Sequence, residues 1–296
     1  MKILTFKKTK DSKDEVGILD SGAKKIISLN SLGIKVPSMQ ELIYKWDKKT
    51  EDTLLKAIYQ KEGEFLIDEV IKLSPIPHPA QEIICLGINY LEHAKESAKF
   101  KKIAFSGKRE EAVYFGKRVN SATPDGGNIP LHTQITQKLD YEAELGVIIS
   151  KDAWNVKKEN AFDYVFGYTI INDISARDVQ IKHNQWYFGK SLEGCTPMGP
   201  WIATKDEFPT PPILEISSYV NGQLRQKSST GLLIFDIPYV IEELSSGMVL
   251  KAGSILSMGT PSGVGMGFEP PRFLKNGDVV ECHIEGIGCL KNTIKE

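Results

Sequence analysis

Cysteine is scarce in this chain: four residues of 296, at positions 85, 195, 282 and 289, with no CxxC pair among them. No disulfide framework or zinc knuckle is implied, and the thiols are expected to be reduced and buried. Long apolar runs are also missing. None reaches the roughly 18–20 residues needed to span a bilayer, and the opening MKILTFKKTK returns to charge too soon for a signal-peptide core. Net charge is nearly absent, because 37 Lys and Arg offset 38 Asp and Glu, so no overall field recruits nucleic acid or anionic lipid. The one basic run, KFKKIAFSGKR at 99–109, is short and isolated and is assigned to a solvated loop. Nucleotide loops fail on spacing. Gly189-Lys190-Ser191 lacks the earlier glycine of a phosphate loop, since Asn184 stands there, and GVGMG has the wrong spacing for a dinucleotide fingerprint. With 41% apolar and 25% charged residues, what remains is an ordinary globular protein. The expectation is a cytoplasmic enzyme with no nucleic-acid or membrane partner.

The length allows one large domain or two unequal ones. Residues 1–75 read as a small leading unit, with short strands in KILTFKK and VGILD. Ser38 and Glu41 then form a capping box that opens a helix carrying Leu42, Ile43 and Trp46. The run Pro75-Ile76-Pro77-His78-Pro79 cannot lie inside a helix or a central strand and is the best linker. Residues 80–296 are strand-rich: EIICLGI, LDYEAELGVIIS, YVFGYTIIND and ILEISSYVNGQLRQ, the last with an Asn221-Gly222 hairpin turn. A later helix starts at Asp236, with Pro238 in its first turn, and stops at Gly247. Strands outnumber helices and do not alternate with them, so the class is α+β and β-rich rather than doubly wound.

In LDYEAELGVIIS, strand alternation puts Asp140, Glu142 and Glu144 on one face. Side chains two apart lie roughly 6.6–7 Å from each other along a strand, close enough for two glutamates to lean onto one ion. Taken alone, the pattern describes a solvated acidic face. The apolar run Val147-Ile148-Ile149 instead carries the strand into a buried sheet, where stacked acids repel unless a cation compensates them. Asp173 follows another apolar strand and reads equally as a third ligand or as a helix N-cap. Oxygen ligands from Glu142, Glu144 and Asp173 suit Mg²⁺ or Mn²⁺ and leave positions for water and substrate.

These segments resemble the fumarylacetoacetate hydrolase family across nearly all of residues 82–296. The similar pieces, in order, are LGINYLEHAKES, YFGKRVNS, LDYEAELGVII, GYTIINDISARD, FGKSLEGCTPMGPW, VNGQLRQ, MGTPSGVG and FLKNGDVVECHIEGIG. Eight weak pieces in the right order make a specific signal. The resemblance, which extends to acylpyruvase-like and 2-hydroxyhepta-2,4-diene-1,7-dioate isomerase-like members, implies a mixed β-roll with a small N-terminal α/β domain, usually a homodimer. It implies Mg²⁺ or Mn²⁺ held by Glu142, Glu144 and Asp173. It also implies that His93 and Glu96, three apart on a helix, sit on a lid and activate water. Lys190 would lie beside the metal-bound substrate, Arg177 and Gln180 near it, and Thr260 against its carboxylate. The chain departs from the family pattern in SATPDGGNIPLHTQITQK and around Thr230 in KSSTGLLIF, a region expected to touch substrate.

The expected partner is a small 2-oxo acid that chelates the cation, whose Lewis acidity favours an enolate. The first expectation is hydrolysis of the C3–C4 bond in a 2,4-dioxo acid, of acylpyruvate, fumarylpyruvate or sugar-derived type. His93 would be the base on water, Glu96 would orient it, and Lys190 would stabilise developing charge. Oxaloacetate decarboxylation or 2-hydroxydienoate isomerisation would use the same site without activated water. A non-catalytic, metal-stabilised binding protein is the third reading.

Overall fold

The computed structural model describes residues 1–296 except 103, 106, 108 and 109, so part of the basic run 99–109 lies outside the described residues. A mixed eleven-stranded sheet runs through the molecule. At its centre, Ala143–Ile149 lies antiparallel between Val165–Asn172 and Ile255–Ser257, and the latter pairs in parallel with Ile83–Gly87. Every residue of Ala143–Ile149 is buried. Leu145, Val147 and Ile149 face one apolar core, while Ile148 faces a second. A strand covered on both faces in this way reads as a near-continuous apolar run, which is why Glu142 just before it and Glu144 near its start are conspicuous.

The leading segment is stitched into the same sheet. Lys2–Lys7 pairs with Met198–Thr204, and Ile3, Ile18 and Leu54 share a core with Cys85, Ile148 and Ile171. The proline-rich connection is tied down as well, since Thr5 Oγ1 donates to Pro75 O at 2.7 Å and Ile76 is buried. The Ser38 cap forms, accepting from Glu41 N, but the helix spans only Met39–Tyr44. Trp46 therefore lies beyond it rather than on it, and packs edge-on against Phe166 at 4.8 Å.

A second sheet of five strands contains the hairpin Glu215–Val220 and Gln223–Ser229, turning at Asn221-Gly222 with both φ angles positive. The helix Ile237–Gly247, capped by Asp236, buries Ile237, Val240, Ile241 and Leu244 against the larger core. Three of the four free cysteines are buried, and Cys289 is half-buried. Among the described residues, no helix is long and apolar enough to cross a membrane.

Candidate active site

The strand expected over 139–150 is interrupted. Leu139–Asp140 pairs with Ser175–Ala176, Tyr141 and Glu142 lie outside either ladder, and the strand resumes at Ala143. The break separates the three acids of the pattern. Asp140 turns away to accept from Arg177 Nε (2.8 Å), Gly265 N (2.7 Å) and Met266 N (3.0 Å). Glu142 and Glu144 stay together, and the register supplies their third partner. Ala143 pairs with Asn172, so the next residue, Asp173, falls opposite Glu142 and donates its N–H to Glu142 O at 2.9 Å. Asp173 is thus a ladder-end acid and not a helix cap.

Carboxylate oxygens of Glu142, Glu144 and Asp173 lie within 4.8 Å of one another, and all three residues are buried. Asp173 Oδ1 is 2.8 Å from Lys117 Nζ but off hydrogen-bond alignment, so it has no partner in good geometry. An all-oxygen donor set from three buried carboxylates fits a hard divalent cation.

Buried cations compensate the acids. Lys190 Nζ donates to Glu142 Oε2 (2.7 Å) and Asp173 Oδ2 (2.6 Å), and Arg177 Nη1 is 2.6 Å from Glu142 Oε1. Burial opposes ionisation of Glu142, but Arg177 and Lys190 outweigh it and hold the carboxyl well below its usual range. Burial also works against the charge on Lys190, which Asp173 and Glu142 nevertheless hold on the ammonium. Among the described residues, Glu144 has no cation within ion-pair distance, and Lys190 acts on it only from further away. Burial, then Asp173 and Glu142, push its carboxyl well above the usual range, while Ser257 Oγ (2.5 Å) and Gly259 N (3.0 Å) donate to its Oε2.

Lys190 reaches the cluster because two helical turns touch. Arg177–Lys182 and Tyr187–Lys190 meet at Gly189, where a Cβ would come within 2.6 Å of Gln180 N. Gln180 Oε1 in turn accepts from Arg177 Nη1 at 3.2 Å.

His93 and Glu96 stand one turn apart on the helix Leu91–Lys101, with His93 Nδ1 2.9 Å from Glu96 Oε2. Glu96 Oε1 accepts from Gly263 N at 3.0 Å, which fastens the helix across the cluster. Together they enclose a cavity of about 210 Å³, lined by His93, Glu142, Glu144, Arg177, Gln180, Lys190 and Thr260 among others. Eight of the nine residues singled out in the sequence therefore line the cavity or support its floor, and Glu96 acts from behind His93. Thr260 is held in place by the backbone, donating to Ala143 O at 2.9 Å and accepting from Gln226 Nε2 at 2.7 Å. No residue of 227–235 is among those lining the cavity, and the Thr230 hydroxyl donates to Pro212 O and accepts from Leu214 N.

Two supporting residues lie in the resembling pieces YFGKRVNS and VNGQLRQ but were not singled out there. Lys117 is fully buried and donates to Ile174 O at 3.0 Å and to Lys190 O, so it braces both the Asp173 and the Lys190 segments. Gln226 joins Ala143 N, Ser218, Thr260 and Pro261. Each follows residues of ordinary strand composition, and burial alone distinguishes them.

Comparison with known proteins agrees with this architecture. The model of the fumarylacetoacetate (FAA) hydrolase C-terminal domain matches residues 82–295. The chain belongs to the fumarylacetoacetate hydrolase family. A curated relative, oxaloacetate tautomerase YisK of Bacillus subtilis (strain 168), is 43% identical over 262 residues, 88% of this chain and 83% of its own. Among solved structures, a family namesake, the fumarylacetoacetate hydrolase from psychrophilic Exiguobacterium antarcticum, superposes with a TM-score of 0.84. It is 36% identical and covers 100% of this chain and 99% of its own. Maleylpyruvate hydrolase from Sphingobium sp. SYK-6, in complex with manganese(II) ion and pyruvate, superposes with a TM-score of 0.78 at 25% identity, covering 100% and 99%.

Proposed function

We propose that this family member interconverts the enol and keto forms of a small 2-oxo acid bearing a second anionic group, with Mg²⁺ or Mn²⁺ as cofactor. Oxaloacetate is the first candidate. The observation that carries the reading is the His93–Glu96 pair closed over a small cavity whose floor holds three acids, Lys190 and Arg177. At about 210 Å³ the space is below the ≈ 300–1,000 Å³ typical of drug-sized ligands, so the ligand is a compact one. Charge points the same way. Asp140, Glu142, Glu144 and Asp173 face Lys117, Arg177 and Lys190, all buried, which leaves one excess negative charge when all are ionised. A divalent cation would turn that excess into one positive charge, suited to an acid substrate.

The cation, when bound, supplies Lewis acidity toward the keto and carboxylate oxygens of a 2-oxo acid. The rest falls to the chain's own residues. In the enol-to-keto direction His93 delivers a proton to C3, the enol O–H proton is lost to solvent and His93 is reprotonated from solvent, while Glu96 fixes the imidazole through Nδ1. Lys190 places its ammonium where negative charge grows on the keto oxygen. Tautomerisation consumes no water. The name of the 43% identical relative supports this choice over hydrolysis. The manganese and pyruvate of the Sphingobium structure support the ligand class.

Hydrolysis of a 2,4-dioxo acid is the second reading. The same dyad can activate a water toward C4, and structural neighbours named as hydrolases favour it. One experiment separates the two. Decay of enol-oxaloacetate absorbance is followed with and without EDTA, beside pyruvate release from an acylpyruvate panel. Faster enol decay with total oxaloacetate conserved supports tautomerisation. Pyruvate and a second acid released from an acylpyruvate, with enol decay unchanged, would move the assignment to hydrolysis.

A further inference from the structure

We propose that Trp186 sets the length of 2-oxo acid that the cavity accepts; this rests on the ligand class argued above. The lining changes character from floor to mouth. Glu142, Glu144 and Lys190 are buried at the floor, Trp186 is half-buried, and Ile181 and Asn184 at the rim are exposed. A ligand anchored at the floor by its oxo and carboxylate groups extends its remaining carbons toward Trp186 and Phe115.

The indole is backed on two sides, and its backbone is fixed beside the floor, so it does not readily yield to a longer chain. It lies over Gly87, where a Cβ would overlap Cζ3 of the ring, so the absence of a side chain there makes its seat. It meets Phe115 edge-on, with centroids 5.3 Å apart and planes at 66°. Its own carbonyl accepts from Lys190 N at 3.0 Å, placing the ring one helical turn from the floor ammonium. That ammonium in turn stands over the Phe115 ring at 5.1 Å. Wall and floor are therefore one connected unit, and chain length is read against a fixed stop.

The test is calorimetric titration of the Mn²⁺-loaded protein with pyruvate and with phenylpyruvate. Trp186→Ala is expected to improve phenylpyruvate affinity at least ~10-fold, the low end of what a pocket's shape decides for one apolar group, and to leave pyruvate affinity essentially unchanged. Trp186→Leu and Phe115→Leu, milder reductions of the same wall, are expected to give a smaller gain for phenylpyruvate alone and keep the test open if Trp186→Ala does not fold. Equal shifts for both ligands, or no shift in any variant that binds pyruvate, would overturn the length stop and leave the 2-oxo acid reading intact. A wild-type protein that takes up Mn²⁺ but binds neither ligand would overturn both.

Discussion

The floor and the roof of the cavity are built by opposite means. The floor comes from central strands with no exposed residue, and each of its carboxylates is engaged by cations or by fixed donors. The roof is a single eleven-residue helix, Leu91–Lys101, with no side-chain N-cap and with Leu91, Glu92 and Lys95 in solvent. Its root is pinned by Asn89, whose Nδ2 donates to Phe235 O and Met258 O and whose Oδ1 accepts from Phe235 N. Across the cavity itself the helix holds through Glu96 and the Gly263 N–H. The proposed cation and anion contacts thus sit on the central strands and on two short helical turns, Arg177–Lys182 and Tyr187–Lys190, and the proposed proton carrier sits on a separate helix.

Substitutions on the two sides should separate binding from chemistry. The largest effect is expected for Asp173→Asn, which removes a proposed ligand and the partner of two buried lysines. Turnover should fall by at least ~10³-fold, beyond the 10–100-fold typical of groups one step removed from a metal, with calorimetric Mn²⁺ uptake lost as well. His93→Ala should slow turnover by about 10²–10⁴-fold while Mn²⁺ uptake stays at the wild-type level; a joint loss would mean that roof and floor are not separable. Lys117→Met probes the brace beneath the floor. It leaves Asp173 short of a buried cation and should cost about 3–5 kcal/mol in denaturant unfolding. Smallest is Ser38→Ala in the leading segment, which removes the cap on Met39–Tyr44. It should cost ~1 kcal/mol and leave turnover unchanged.

Much of this division was legible in the residues. Alternation in LDYEAELGVIIS and the polar end of YTIIND isolated Glu142, Glu144 and Asp173, because acids at the edge of apolar strands break the local rule and so stand out. The i, i+3 spacing of His93 and Glu96 placed both on one helical face. Period-2 reasoning failed at Asp140, since it cannot see the interruption at Tyr141–Glu142 that gives this acid to Arg177. Lys117 was missed for a different reason. A lysine ending a strand is most often solvated, and only the long-range approach of the Asp173 and Lys190 segments buries it. The register that brings Asp173 opposite Glu142 is likewise a tertiary fact. Trp186 and Gly87 are 99 positions apart in sequence, and their contact could not be read from either neighbourhood.

Thermal unfolding of the wild type and Glu144→Gln, each with EDTA and with saturating Mn²⁺, decides whether the buried acids hold a divalent cation. In EDTA the variant should melt at or above the wild type. Its neutral amide relieves a buried carboxylate that faces two other acids, while its oxygen can still accept from Ser257 and Gly259. At about 100 times its Kd, Mn²⁺ should add about 2.7 kcal/mol to the wild type and little to the variant. Equal stabilisation of both proteins by Mn²⁺, or of neither, would contradict cation binding by these acids.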